Sequence, residues 1–263
     1  MFPHRNRFLL TLALACVFAL AGCSHDDNPT IPNPVTSQSD ADDVAFLAGI
    51  SFDNVNTVLQ AGEPVAAPVP VDAVVLTDTT FQRGNVTFQL SRRYFTAAHV
   101  EQTVPDATTD SLVLGSRAFG TDSTSSARYR VSVGHAGQLR LGGLIAARPI
   151  VTLEGAWGDT LDARFTALRQ AVTRTFYARV LTVGNGVRVP KSSTTGYPTA
   201  GQIVWTVHAE RTRDGVRADV EKTLDAVVTL TFNGTRFPVL TVNGTWSYSL
   251  DLVTGAVSVA GSA

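Results

Sequence analysis

A two-residue rhythm constrains this chain more than any other feature. Val86-Thr87-Phe88-Gln89-Leu90, Arg128-Tyr129-Arg130-Val131-Ser132-Val133 and Ile203-Val204-Trp205-Thr206-Val207 alternate apolar and polar side chains. Such alternation sends the two kinds to opposite faces of a strand. The rhythm sets in near residue 74 and reaches the C-terminal part, where Trp246, Tyr248, Leu250 and Leu252 interleave with Thr245, Ser247, Ser249 and Asp251. The 33 valines and 32 threonines make up about a quarter of the 263 residues and suit a half-buried pleated surface. Glutamate (5) and lysine (2), favoured on helix surfaces, are scarce.

Turn chemistry agrees. Thr231-Phe232-Asn233-Gly234-Thr235 and Thr241-Val242-Asn243-Gly244-Thr245 are near-repeats, and Asp214-Gly215 separates two further strand-like runs. Asn-Gly supplies the two positive-φ residues of a type I′ hairpin turn. Pro238 cannot donate to a ladder, which predicts an edge or bulged strand there. Only one long helical pattern stands out: Val44, Leu47, Ala48, Ser51, Val55, Val58 and Leu59 recur every three or four residues. It predicts a helix over 41–60, capped by Asp40 and closed by Gly62 and Pro64. Leu161, Phe165, Leu168 and Val172 show the same spacing and predict a short helix over 161–173, although strand-like sequence follows at once. The expected fold is mainly β: an antiparallel sheet or sandwich-like β-meander, residues 41–263, with one N-terminal helix packed on it.

The N-terminus speaks of location. His4, Arg5 and Arg7 precede a thirteen-residue apolar run, 8–20. A helix needs about 20 apolar residues to span a bilayer, but this run fits the core of a secretory signal. It ends in Leu20-Ala21-Gly22-Cys23, which resembles the lipobox of bacterial lipoproteins. That resemblance covers residues 1–23. It implies cleavage before Cys23, acylation of that cysteine, and a membrane partnership through the N-terminal acyl chains. Ser24 rather than aspartate after the cysteine implies the outer membrane by the same resemblance, and Asp26-Asp27 is similar to the acidic tract of surface-exposed lipoproteins. Residues 23–40 then form the lipidated cysteine and a tether. Pro29, Pro32 and Pro34 bias it to an extended course, and 17 residues at about 3.1 Å each reach roughly 50 Å.

Charge excludes one class of partner. Lys and Arg number 21 against 22 Asp and Glu, which gives no footprint for nucleic acid. Cys16 and Cys23 are the only cysteines, so the mature domain has neither a disulfide nor a cysteine metal site. Phe95-Thr96-Ala97-Ala98-His99 resembles the histidine motif of trypsin-like proteases, but no Gly-Asp-Ser-Gly-Gly or Gly-x-Ser-x-Gly follows, and Gly158-Asp159-Thr160 is the nearest echo. His99-Val100-Glu101 and His208-Ala209-Glu210 share a spacing that puts both ligands of each pair on one strand face. Two such strands side by side would make a four-ligand metal site of His99, Glu101, His208 and Glu210. Asp106, Asp110 and Asp122 are candidate loop acids with no partner for acid–base work. Arginines recur beside aromatics in Arg92-Arg93-Tyr94-Phe95, Arg128-Tyr129-Arg130 and Arg174-Thr175-Phe176-Tyr177. This reads as aromatics inward and arginines outward on strands, or as a groove for anionic glycans.

With no catalytic set and no cofactor expected, the leading reading is a lipid-anchored envelope protein, a non-enzymatic binding or structural module whose partner is an envelope protein or a glycan. The alternatives are a half-barrel carrier of lipid or lipoprotein, a metal-dependent hydrolase using His99 or His208, and a glycan-binding surface module. A carrier would hold an apolar cavity walled by one or more of Trp157, Trp205 and Trp246.

Overall fold

A computed structural model describes residues 32–62, 78–123, 129–170, 172–193, 196–213 and 219–259. Cys23, Pro64 and Asp214-Gly215 lie outside them. The folded unit begins at Asn33. Residues 33–40, expected in the tether, belong to it: the Asn33 carbonyl accepts the Asp225 amide at 3.0 Å and Val35 is buried.

Among the described residues one helix, α1 (Gln38–Gly62), precedes twelve strands: β1 (Asp78–Arg83), β2 (Val86–Thr96), β3 (Glu101–Gln102), β4 (Thr109–Ser123), β5 (Tyr129–Gly142), β6 (Ile150–Thr166), β7 (Thr173–Pro190), β8 (Ala200–Thr212), β9 (Val220–Thr231), β10 (Val239–Val242), β11 (Trp246–Leu250) and β12 (Val257–Val259). The strands form a single antiparallel sheet in which sequence neighbours are spatial neighbours, except that the short β3 pairs with β2 off the main path. The protein is therefore a meander in one sheet and not a sandwich. Alternation sorts its faces. Along β6, Trp157, Asp159, Leu161, Ala163 and Phe165 are buried while Thr160, Asp162 and Arg164 are exposed.

The helix starts earlier than the sequence predicts. Ser37 is its cap, accepting the Asp40 amide at 3.2 Å and donating its hydroxyl to the Asp40 carboxylate at 2.5 Å. Asp40 sits inside the first turn. The helix is also buried on every side. Ser51 and Asn54 meet Asp159 of β6, Phe46 stacks on Phe165 of β6 at 4.2 Å, and Asp53 takes Arg83 from β1. From the far end of the sheet, the turn between β11 and β12 presses Gly255 on the same Asp53. Strands at both ends of the sheet and in its middle thus reach one helix, so the sheet curls around α1. Register shifts after Leu153, Asn185 and Arg211 supply local bends that help a sheet turn.

Three expectations need correction. Residues 161–173 are not a helix: β6 runs to Thr166, a turn follows, and β7 starts at Thr173. Leu161 and Phe165 are both inward on a strand, where a four-residue interval also returns to the same face. The two Asn-Gly dipeptides differ. Asn243 and Gly244 both have positive φ (48° and 64°), as a type I′ turn requires, and join β10 to β11. At the other, only Gly234 does, and Asn233 instead accepts the Thr235 amide through its side chain in a longer link. Pro238 is not in an edge strand. It immediately precedes β10, between β9 and β11, where its missing N–H costs nothing and its carbonyl accepts Leu250.

Candidate functional site

Two arrangements of polar side chains stand out, one inside the sheet and one outside. The inner one lies on adjacent strands. His135 of β5 is directly opposite Asp159 of β6, and Ser116 of β4 is one inward position from His135's own partner, Ala118. The Ser116 hydroxyl is 2.9 Å from His135 Nε2, and His135 Nδ1 is 2.9 Å from Asp159 Oδ1. A carboxylate only accepts, so Nδ1 carries the proton toward Asp159, and in the neutral ring Nε2 accepts the serine hydroxyl. These are the contacts of a serine hydrolase triad.

Access separates the two roles. Ser116, His135 and Asp159 are only 6%, 4% and 3% exposed, inside the curl and under α1. Asp159 is occupied from above: the Ser51 hydroxyl donates to Oδ2 at 2.5 Å and the Asn54 amide to Oδ1 at 3.1 Å, with Thr182 3.4 Å from Ser51. A cleft of about 650 Å³ includes Ser116 in its lining, but Gln89, Ser91 and Arg117 on the outer face form its walls, and the serine hydroxyl points the other way. What the arrangement does chemically is bind α1 to the middle of the sheet with a chain of mutually satisfied donors and acceptors. No short motif encodes it. The available signal was phase: Ser51, His135 and Asp159 each occupy an apolar position of its element's pattern.

The outer arrangement is a cleft of about 660 Å³ near the ends of β5 to β9. Arg130, Ser132, Asp162, Arg164, Thr175 and Glu221 line it on the outward side, with Arg174 and Arg211 beneath. The deeper arginines are engaged by the first turn of α1. Arg174 pairs with Asp43 and also donates to Ser39 at 2.7 Å. Arg211 stands 3.6 Å from Asp40 and 3.7 Å from Glu221. Burial pushes the Asp43 carboxyl up to about 6 in spite of Arg174. Burial also works to raise Asp40, but hydrogen bonds from Lys222 and Ser37 and the charges of Lys222 and Arg211 outweigh it and hold Asp40 below the usual carboxylate range. Arg130 and Arg164 sit opposite each other across β5 and β6 and, among the described residues, have no hydrogen-bonding or ion-pair partner. The inward–outward rule holds for Arg93 beside buried Tyr94 and for Arg130, but Arg174 shares the inward face with Phe176.

The histidines picked out by spacing are apart. His99 is not in a strand but in the turn after β2, at φ 60°, exposed and 3.4 Å from an Arg140 nitrogen. Glu101 begins β3. His208 and Glu210 lie on β8, separated from β2 by β4, β5, β6 and β7. His208 Nδ1 is instead 2.7 Å from Asp225 of β9, and its other nitrogen 3.8 Å from Glu210. The four residues therefore do not form one site, and among the described residues no group of three or more His, Cys, Asp or Glu is placed to hold a metal. Asp110 pairs with Arg148 at 3.2 Å, and Asp106 closes its own turn through Thr108. Among the described residues no helix is long and apolar enough to cross a membrane. Set against protein-family models, curated proteins and solved structures, the chain matches none of them.

Proposed function

We propose that this chain is a lipid-anchored cell-envelope protein acting as a non-enzymatic binding or structural module, with an envelope protein or glycan as partner. The observation that carries the reading is the use made of Ser116, His135 and Asp159. The one arrangement with hydrolase geometry among the described residues is sealed beneath α1, and its carboxylate is spent on Ser51 and Asn54. A serine that no acyl group can approach is not a nucleophile, whatever its hydrogen bonds. The metal-hydrolase alternative lacks convergence of its ligands, and a carrier would need the interior that α1 fills. The anchor rests on Leu20-Ala21-Gly22-Cys23.

The test has two arms. A fluorophosphonate probe should leave Ser116 unlabelled in the native full chain; labelling that is lost in Ser116→Ala would replace this reading with a serine hydrolase. Labelled palmitate should enter the membrane-bound wild-type protein and be absent from Cys23→Ser. Palmitate retained in that variant would remove the anchor.

A further inference from the structure

We infer that the outer cleft at Arg130 and Arg164 binds a saccharide carrying a phosphate or sulfate group. This rests on the reading of the chain as a binding module and names the ligand chemistry of one face. Like charges directly opposite on neighbouring strands repel and destabilise a sheet. Several arginines of this molecule are met by carboxylates: Arg83 by Asp53, Arg148 by Asp110, Arg169 by Asp42, Arg236 by Asp251. Arg130 and Arg164 face each other directly across β5 and β6, and among the described residues neither has an acid in ion-pair range. A tetrahedral anion between them would accept charge-assisted hydrogen bonds from both guanidinium groups and remove the repulsion.

The remainder of the cleft says what the anion is attached to. Its volume, about 660 Å³, falls within the size of small-molecule sites and far exceeds what one tetrahedral anion fills. Ser132 and Thr175 present hydroxyls, and Asp162 lies two residues before Arg164 on the same exposed face. A carboxylate there works against a bare polyanion. It suits a ligand that brings hydroxyl donors beside its charge, because an ionised carboxylate only accepts. Glu221, at the far rim, is engaged by Arg211 and Arg213. One charged end and one hydroxylated body is the chemistry of a sugar phosphate or sulfate, free or as the headgroup of a glycolipid.

Calorimetric titration of the full chain in detergent tests this with three probes: inorganic phosphate, glucose 1-phosphate, and a phosphorylated disaccharide lipid dissolved in the same micelles. Glucose 1-phosphate or the lipid should bind at least about tenfold tighter than phosphate, and binding should weaken with salt. Preference for the first assigns a free saccharide, preference for the second a headgroup. Arg130→Gln with Arg164→Gln should abolish the binding while leaving the melting temperature unchanged or raised. Asp162→Asn should weaken the sugar phosphate but strengthen phosphate. Phosphate binding as tightly as the sugar, a double variant that binds like wild type, or no binding by any probe would overturn the inference. None of these results touches the module reading, which is tested separately by labelling of Ser116.

Discussion

At the scale of the residue, the first turn of α1 shows burial and charge pulling against each other. Asp40, Asp42 and Asp43 all lie in the interior and each meets a base, yet Asp40 and Asp43 are shifted in opposite directions. Asp43 is fully buried and one of its oxygens has no partner, so desolvation beats the Arg174 charge and raises its carboxyl from 3.8 to about 6. The folded state then binds this proton more tightly than the unfolded one. The stability that the group contributes is fully present below about pH 4 and is lost as pH rises toward about 6, a loss of roughly 3 kcal/mol. Asp53, raised by burial, acts in the same direction, whereas Asp251, held down to about 2 mainly by its hydrogen bonds from Arg236, titrates below the window. Asp43→Asn should therefore flatten the fall in urea-unfolding free energy between pH 4 and pH 6 relative to wild type. Identical slopes would mean that Asp43 is ionised throughout. Such residues are hard to read in advance. Asp43 looks like ordinary helix-start acidity, and Ser51, His135 and Asp159 are single polar letters in apolar phase, with no local pattern tying them together.

At the scale of the element, length and period were legible and contacts were not. The helix was recognisable from its spacing, but its apolar pattern could not reveal that it would be enclosed, nor that Ser37 would cap it. Gly49 carries that enclosure. Glycine is about 1 kcal/mol worse than alanine within a helix, so Gly49→Ala would stabilise an exposed helix. Here a Cβ would stand 2.7 Å from the Gly255 carbonyl and 2.8 Å from Val257. The variant should lose roughly 1–3 kcal/mol instead, as overpacked cores do, read as a lower urea midpoint with an unchanged slope. A gain in midpoint would show that α1 and the last turn are not in close contact. The strands teach a complementary lesson. Leu161, Phe165, Leu168 and Val172 mimicked a helix because a four-residue interval fits both periods, and the alternation of Asp162, Ala163 and Arg164 between them was the better guide. Likewise Asn233-Gly234 and Asn243-Gly244 look alike in sequence, and their neighbours decide: Pro238 and the Arg236–Asp251 pair hold the first link open.

At the scale of the whole molecule, the meander was readable from the turns and the rhythm, whereas its curl was not, because curvature depends on register shifts and on what fills the concave side. That side is apolar and holds α1; the convex side carries Arg130, Glu154, Asp162, Arg164 and Arg179. Trp157 and Trp205 are buried in the packed interior and Trp246 is half-buried at its margin. Titrating a fatty acid into the full chain should accordingly leave tryptophan emission unmoved. A saturable blue shift would mean that α1 can vacate its place for an apolar cargo, and would revive the carrier. The enclosed helix also imposes an order in time. It precedes all twelve strands of the sheet in the chain, and Phe46, Leu47, Ile50 and Phe52 stay uncovered until they pair. Because each strand pairs with its predecessor, the sheet can close over it stepwise from β1 onward. Arg174 of β7 and Arg211 of β8 reach its first turn first, and Lys222 on Asp40 and Tyr248 on Asp42 arrive only with β9 and β11. The helix is thus fastened last by late strands, and a chain halted before β9 keeps most of its sheet but lacks the Lys222 and Tyr248 contacts.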